Sequence, residues 1–302
     1  MSELPPAGRG GPKGRLETRP ADVAADEATT DDARRAIAGG ARPRRFGAWY
    51  VAEHRFRVMW SYAQTILVTG FGEPIIYLYA MGVGLATLVD QNLSLEAGGV
   101  GYLVFVAPAL LCSAALTTAT IEFSYPVLLG YKWNPTFTGM HSGPISPGQI
   151  VDGLVISVVV RLAATVAIYY AFMLLFGAVP SPAGWLAIPI ATLTGMAFGT
   201  LLMAYASSIR EDTGQLAMVQ RLVVLPLTLF SGTFFPLSQL PWFLQWIGWI
   251  SPLWHGTELA RVVTFGYPEP LWLSALHVVV LVAMTIVGWV WARRIAVRRL
   301  AA

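Results

Sequence analysis

The stretch FSGTFFPLSQLPWFLQWIGWISPLWHGTELAR, residues 230–261, overlaps the end of an apolar run from Leu222 to Phe235. That run can cross a bilayer. Pro241 and Pro252 interrupt the segment after it, so we expect two short aromatic helices that cannot cross. Aromatic side chains of this kind concentrate at membrane–water interfaces. The sequence therefore predicts a membrane-crossing helix followed by a pair of short outer half-helices.

The order of these elements resembles that of a known family. A small-residue turn, Ser231-Gly232, is followed by Phe234-Phe235-Pro236, a Leu-Pro pair, a Trp-rich segment and Ser251-Pro252-Leu253. This order is similar to that of the permease subunits of type-2 ABC exporters, especially those for nodulation lipo-oligosaccharides and daunorubicin-like drugs. The resemblance extends from about Phe46 to Leu300. It implies an exporter transmembrane domain at residues 46–302, paired with a second permease and powered by separate ATPase subunits.

The composition indicates a membrane protein. Of the 302 residues, 55% are hydrophobic and 12% are charged, whereas about a quarter of residues are charged in soluble domains. Six apolar stretches are each long enough to cover about 30 Å of hydrocarbon at about 1.5 Å per helical residue. We therefore expect an all-α fold with six transmembrane helices. The stretches are residues 60–88, 101–123, 148–177, 183–208, 217–237 and 270–292.

The lysine and arginine residues predict the orientation. With both termini in the cytoplasm, twelve of these residues fall in inside segments, whereas Arg261 is the one that falls in an outside loop. Cytoplasmic loops carry such an excess of positive charge. The sequence predicts a multi-pass protein of the bacterial plasma (inner) membrane with residues 238–269 outside.

The N-terminal 45 residues differ in composition from the rest. They contain no aromatic side chain and bury too little apolar surface to offset the cost of ordering, so we expect a disordered cytoplasmic tail at residues 1–45. Beyond it, Trp49, Ala52, Phe56 and Met59 recur at helical spacing among charged residues. This pattern favours an amphipathic elbow helix on the cytoplasmic leaflet, which the resemblance also implies. An ordinary basic flank of the first span is the alternative.

Two cytoplasmic segments are candidates for coupling to an ATPase. Tyr131, Lys132, Trp133 and Asn134 lie in the segment 124–147, between helix-breaking Gly and Pro residues. Mixed aromatic and polar residues there suit a short helix that docks into a partner's groove. The resemblance implies that this loop transmits ATPase closure to the spans, and a plain connector is the alternative.

The second segment is a turn that contains Arg210 and Glu211. Asp212 or Thr213 is suited to cap the helix that follows. Capping is the simpler role for this turn, and contact with the ATPase is the functional alternative.

Two charged residues, Glu73 and Arg161, lie deep in apolar stretches. Each lies about 20 Å along its helix, so an ion pair between them is feasible. Charges inside a membrane usually face protein or water and mark functional sites. A structural pair, water-facing anchors and a direct role in substrate passage are all open.

Three tryptophans, Trp242, Trp246 and Trp249, share one face of the first outer half-helix. An aromatic belt at the lipid headgroups explains them. The functional alternative is an outer gate through which an amphiphile reaches the outer leaflet.

The neighbours of the two lysines do not match those of a phosphate-binding loop. A phosphate-binding loop needs Gly-Lys-Ser/Thr, but Lys13 follows Pro12 and Lys132 lies between Tyr131 and Trp133. We expect ATP to be bound by a partner ATPase, and no cofactor, metal or catalytic residue in this chain.

The expected partners are that ATPase, a second permease copy, membrane lipids and an amphiphilic substrate, with no nucleic acid. A membrane enzyme and an ion-coupled secondary transporter are the alternative functions.

The topology can be tested with single cysteines. In a Cys112→Ser background, Gln245→Cys should react in whole cells with an impermeant thiol reagent, because residue 245 is predicted to be outside. Asn134→Cys should react only after the cells are opened. Labelling of residue 134 in intact cells would contradict the topology.

Overall fold

The computed structural model describes residues 20–85 and 99–301, apart from the side chains of residues 20–29, 69, 82 and 83. Residues 1–19 of the expected tail, the end of the first apolar stretch and most of the loop after it lie outside this range. The chain divides into two compact units, residues 1–45 and 46–302.

Every secondary-structure element in the described range is helical. The elements are α1 (Pro20–Gly39), α2 (Ala41–Trp60), α3 (Ala63–Tyr79, continued by a π-helical turn Ala80–Leu85), α4 (Tyr102–Phe123), α5 (Tyr125–Tyr131), α6 (Thr136–His141), α7 (Pro147–Leu175), α8 (Ala187–Ser208, after a 3₁₀ turn Gly184–Leu186), α9 (Gln215–Val219), a π-helical turn Gln220–Val224, α10 (Leu225–Phe230), a 3₁₀ turn Leu237–Gln239, α11 (Trp242–Ile250), α12 (Pro252–Phe265) and α13 (Leu271–Leu300).

The first unit contains a helix where the sequence predicted disorder. α1 occupies residues 20–39 and is rich in alanine, which has the highest helix propensity. Asp31 and Asp32 each lie within 4.0 Å of an arginine one turn later. Because these pairs are exposed, each contributes little. The described side chains of α1, at residues 30–39, are exposed, so local propensity accounts for this part of the helix.

Four helical segments of the described chain are long and apolar enough to cross a membrane. They are Tyr102–Tyr131, Pro147–Leu175, Gly184–Ser208 and Leu271–Leu300. The fifth apolar stretch forms a shorter helix, Gln215–Phe230, with a π-helical turn at its centre. It ends before Gly232, whose φ is 72°. Helix length and composition thus support four spans in the described residues, and the count of six stays a prediction.

The half-helices begin where the prolines predicted. α11 follows Pro241, and α12 has Pro252 at its first position, where the missing N–H costs no helical hydrogen bond. Ser251, which precedes α12, accepts from the N–H of Leu253 and caps the helix. We call the end of the bundle that contains α11 and α12 the half-helix end.

The opposite end of the bundle is joined by arginines of α13, and we call it the basic end. Arg293 donates to both carboxylate oxygens of Asp152 on α7, at 2.9 and 3.0 Å. Arg299 donates to the carbonyls of Ser207 and Ile209 at the end of α8, each at 2.7 Å. Arginines in the last turns of α13 therefore fasten it to the two neighbouring helices, and Arg299 satisfies carbonyls that the helix end leaves without partners.

Close approach in the bundle depends on small residues along α8. A Cβ added to Gly288 of α13 would lie 2.5 Å from the hydroxyl of Thr200, and that hydroxyl donates to the carbonyl of Thr285 at 3.1 Å. Small residues let helix backbones approach closely within membranes, where packing rather than hydrophobicity drives association. A Cβ added to Gly195 of α8 would likewise lie 2.8 Å from the carbonyl oxygen of Ala115 on α4, so α8 packs closely against both α13 and α4.

A buried arginine fastens the half-helix end. Arg261 of α12 is 1% exposed. It donates to the carboxylate of Glu258 and the carbonyl of Gly232, both at 2.8 Å, and to the carbonyl of Phe105 at 3.3 Å. Its guanidinium carbon lies 3.7 Å from the centre of the Phe105 ring. The arginine that the topology prediction placed in an outside loop thus joins α12, α4 and the turn after α10.

The Arg261→Met variant should lose about 3–5 kcal/mol of stability, because it leaves the Glu258 carboxylate buried without its partner. The measurement is the apparent unfolding temperature of the detergent-purified chain. Arg294→Met, at an exposed arginine of α13, is the matched control and should unfold near the wild-type temperature. Adding Glu258→Leu to Arg261→Met should recover part of the loss. Equal unfolding temperatures for the two single variants would contradict the structural role of Arg261.

Candidate functional site

The candidate coupling loop consists of α5, α6 and the turn between them. Tyr131 is half-buried, and its ring packs edge-on against Phe137 with 4.8 Å between ring centres. The guanidinium of Arg299 lies 4.4 Å from the centre of the Tyr131 ring. Trp133 stacks on Tyr125 at 6.3 Å and remains 50% exposed. Tyr131 therefore holds the loop against the bundle, whereas Trp133 presents an aromatic surface.

The two predicted coupling segments meet at the basic end. Nζ of Lys132 lies 3.0 Å from the carboxylate of Glu211, which is itself exposed. Such a pair contributes little energy in water, but it brings the two segments together. Arg210 lies at the rim of a shallow cavity with Arg298 and Arg299.

The elbow part of α2 begins after a break at Phe46, whose φ and ψ of −116° and 21° are not helical. Val51, Ala52 and Met59 are buried, Phe56 is half-buried, and Trp49 is 56% exposed. The four apolar positions that the sequence grouped on one face therefore have different surroundings. Spacing alone could not show that Val51 faces the bundle and Trp49 does not.

The elbow lies close against α7. A Cβ added to Gly153 would lie 2.5 Å from the carbonyl oxygen of Ala48 and from Cβ of Val51. Asn134 of the coupling loop lines a small cavity together with Val51 and Arg55. The elbow is thus in contact with one long helix and lies next to the coupling loop.

An Arg–Glu–Arg cluster joins the elbow to two long helices. The carboxylate of Glu122, near the end of α4, accepts from Arg55 of the elbow at 2.8 Å. Its other oxygen accepts from Arg161 of α7. Both guanidinium groups are more than four-fifths buried, and Glu122 is more so. Screening by water is therefore weak, and the cluster links three elements mechanically.

The sequence left open an ion pair between Glu73 and Arg161, and the structure gives Arg161 a different partner. Arg161 bonds to Glu122 instead. Equal depth along two helices made Glu73 a feasible partner, but depth does not show which faces meet. Glu122 of α4 instead lies within hydrogen-bond reach of both Arg161 and Arg55. Glu73 lines a separate cavity with Tyr77 and Tyr169.

The tryptophans of α11 lie on the surface of the half-helix end. Trp242, Trp246 and Trp249 are 83%, 53% and 56% exposed. On the opposite side of the helix, Gly248 is buried against Leu237. The structure thus gives the three indoles a common exposed face, and their role as belt or gate stays a prediction.

A chain of hydrogen bonds runs beneath this surface and was not found from the sequence. Nε2 of His255 lies 3.1 Å from the carbonyl of Trp249, and its Nδ1 lies 2.5 Å from Nδ1 of His277. Nε2 of His277 lies 3.0 Å from Glu269, whose other oxygen accepts from Ser274. The two histidines are 22 residues apart in sequence, so no local pattern signals their contact.

The hydrogen-bond directions in this chain follow from one carbonyl. The oxygen of Trp249 can only accept, so Nε2 of His255 donates to it and the other nitrogen of neutral His255 accepts from His277. Nε2 of His277 faces the carboxylate of Glu269. A hydrogen bond between this nitrogen and the carboxylate requires a proton on one of the two. Burial and the neighbouring His277 lower the pKa of His255 to about 4. The chain therefore ties α11, α12 and α13 together while His255 is neutral.

Comparisons with known proteins cover most of the second unit. Residues 48–265 match the family described as ABC-2 type transporter. Nodulation protein J of Rhizobium leguminosarum bv. viciae is 29% identical over 259 residues, 83% of this chain and 95% of that protein. Nodulation protein J of Rhizobium meliloti (strain 1021) is 27% identical over 260 residues, 83% of this chain and 94% of that protein. These matches confirm the resemblance drawn from the order of elements in residues 230–261.

Acid should loosen the half-helix end. His255 takes up a proton at about pH 4 in the folded chain and at about pH 6.5 when unfolded. Between pH 4 and pH 6.5, His255 is protonated in the unfolded chain and neutral in the folded chain. The free energy of unfolding therefore falls as the pH falls from 6.5 to 4. The apparent unfolding temperature in detergent should drop across this window.

The His255→Gln variant tests that dependence, because the amide can keep both hydrogen bonds and does not titrate. Its unfolding temperature should fall less between pH 6.5 and 4 than that of the wild type. His54→Gln, at an exposed histidine of the elbow, is the control and should keep the wild-type slope. If the unfolding temperature depended on pH equally in all three proteins, His255 would be excluded as the source of that dependence.

Proposed function

Because the chain belongs to the ABC-2 type transporter family, we propose that it is the permease of an ATP-driven exporter that moves an amphiphile out across a bacterial plasma membrane. The amphiphile is lipid-like, glycosylated or drug-like. The observation that supports this best is the bonded path from the elbow through Glu122 to α4 and α7, next to a loop with an exposed tryptophan. Such a path suits a membrane subunit that receives force from a partner.

The partner at the basic end is an ABC ATPase, one for each permease, and it binds the ATP. Its groove receives the coupling loop, with Trp133 as the central contact and Lys132, Asn134, Arg210 and Glu211 around it. An exposed aromatic ring among polar groups is the common composition of an interface hot spot. The stacking of Trp133 on Tyr125 supports this role, because a ring already held in place loses little entropy on docking.

Transport alternates between two arrangements of the permease. Closure of the ATPases pushes the coupling loop and the elbow, which lie next to each other around one cavity. Arg55 passes the displacement through Glu122 to Arg161, so α4 and α7 move with the elbow. The interface between the permeases then opens toward the outside, where the tryptophans of α11 form the gate.

The assembly contains two permeases, as a homodimer or with a related chain. Each has six spans, with both termini in the cytoplasm. The first span is α3 with its π-helical continuation, and the fifth is the segment Gln215–Phe230 with the turn after it. Exposed apolar side chains on both segments, including Val68, Ile76, Leu222 and Leu225, support contact with lipid or with the second permease.

The Trp133→Ala variant should weaken binding of the ATPase by about thirtyfold, since loss of a hot-spot aromatic costs about 2 kcal/mol. Export should fall with it, while folding and insertion persist. Copurification of the tagged ATPase and export are measured in parallel. Trp185→Ala removes an equally exposed tryptophan, at the half-helix end, and should change neither.

Two further variants complete this test. Tyr131→Ala should have a smaller effect on binding, and deletion of residues 1–40 should have little effect. If Trp133→Ala keeps wild-type binding and export while the deletion abolishes both, the coupling surface lies elsewhere.

A further inference from the structure

A cavity of about 70 Å³ lies inside the bundle, away from the coupling loop and the elbow. Four helical elements supply its walls: α3, α4, α7 and α10. The polar groups that line it include Glu73 on α3, Ser113 on α4 and Tyr169 on α7. The apolar part of the wall includes Leu110 and Phe234. The cavity is therefore a small polar compartment among apolar helices.

Two hydroxyl groups at this cavity have no hydrogen-bond partner within the described residues. They are the buried Oη of Tyr169, whose side chain is 1% exposed, and the buried Oγ of Ser113. Buried hydroxyls nearly always have partners, because leaving one without a partner costs its full desolvation energy. Tyr169 and Ser113 line the same cavity, so a polar ligand in it lies next to both side chains.

The carboxylate of Glu73 supplies the charge. In the part of the chain that the structure describes, no lysine, arginine or histidine forms an ion pair with Glu73, whereas Arg161 is bonded to Glu122. A carboxylate in such surroundings stays ionised when a positive charge lies beside it and is otherwise protonated. A neutral sugar hydroxyl could satisfy Tyr169 and Ser113, but it would leave the charge of Glu73 uncompensated.

We propose that this cavity binds the primary ammonium group of a cationic amphiphile. An ammonium has three donors and a positive charge, which match the carboxylate of Glu73 and the oxygens of Tyr169 and Ser113. The cavity volume of about 70 Å³ has room for this head group. This inference deepens the proposed function. The amphiphile is the transported substrate only if the chain is an exporter, so that identification rests on the proposed function.

The remainder of the amphiphile lies along the apolar surfaces beside the cavity. Ile76 and Tyr77, one turn after Glu73 on the same side of α3, are 67% and 43% exposed, and Tyr77 lines the cavity. A hydrocarbon or aromatic tail can cover these side chains while the head is held by Glu73. The cavity thus selects a positively charged head, and the surrounding surface selects an apolar tail.

The test uses a fluorescent primary amine, monodansylcadaverine, and its N-acetyl derivative, which differs in having lost the ammonium charge. Both are titrated into the full-length chain in lipid nanodiscs, and binding is followed by the blue shift of dansyl emission. The amine should bind at least tenfold more tightly than the acetylated compound, since hydrogen bonds to charged groups are the strong ones. Octyl glucoside, a neutral sugar amphiphile, should compete poorly, whereas dodecylamine should compete well.

Two variants of the lining test the residues. Glu73→Gln keeps the shape and removes the charge, so it should lower the affinity for the amine about tenfold and leave the acetylated compound unaffected. Tyr169→Phe should lower the affinity for the amine several-fold, and it provides the test if Glu73→Gln does not fold. Glu53→Gln, on the elbow, is the matched control and should bind both compounds as the wild type does.

Equal affinity of the wild type for the two compounds would overturn the proposal, as would wild-type selectivity in both Glu73→Gln and Tyr169→Phe. Stronger competition by octyl glucoside than by dodecylamine would overturn it in favour of a sugar. The same compounds in an export assay with the ATPase separate this inference from the proposed function. Selective binding without export would contradict the exporter alone, and export without a preference for the amine would contradict the ammonium cavity alone.

Discussion

The half-helix end depends on one buried guanidinium. Arg261 bonds to Glu258, to the carbonyls of Gly232 and Phe105, and lies over the ring of Phe105. A charge so deeply buried is tolerated only when its donors find acceptors, and here the acceptors come from three separate segments. α12 is too short to cross a membrane by itself. Because it is bonded to α4 through Arg261 and to α13 through His255 and His277, the half-helices form a fixed part of the bundle rather than a loose loop.

The basic end is organised by the same kind of interaction. Glu122 bonds to Arg55 and Arg161, Asp152 to Arg293, and Arg299 to the carbonyls at the end of α8. These bonds join the elbow, α4, α7, α8 and α13 to one another. Charged bonds at both ends and close apolar packing between them hold the helices together, which suits the proposed coupling to an ATPase.

The polar groups at the Glu73 cavity differ in their bonding from those at the half-helix end and the basic end of the bundle. Arg261 and Glu122 have partners within the protein, and the two bonded ends stabilise the fold. Glu73, Tyr169 and Ser113 line one cavity, and the two hydroxyls have no partner in the described chain. Polar groups that complete their bonds internally contribute to structure, whereas polar groups that converge on a cavity without doing so are available to a ligand. This difference separates the residues that hold the permease together from those that we assign to its substrate.

The sequence by itself determined the helical class, the family and the bounds of the half-helices. These depend on local properties, since a helix bonds to its own backbone, Pro241 and Pro252 block it at fixed positions, and apolar length is readable residue by residue. The tertiary structure alone decided which side chains meet. Arg161 was placed at the depth of Glu73 but bonds to Glu122, Trp49 was grouped with Ala52 but is exposed, and His255 meets His277 from another helix. Periodicity gives the rise along a helix, whereas the partner of a side chain depends on how each helix is rotated and packed against its neighbours, and that is set by the whole bundle at once.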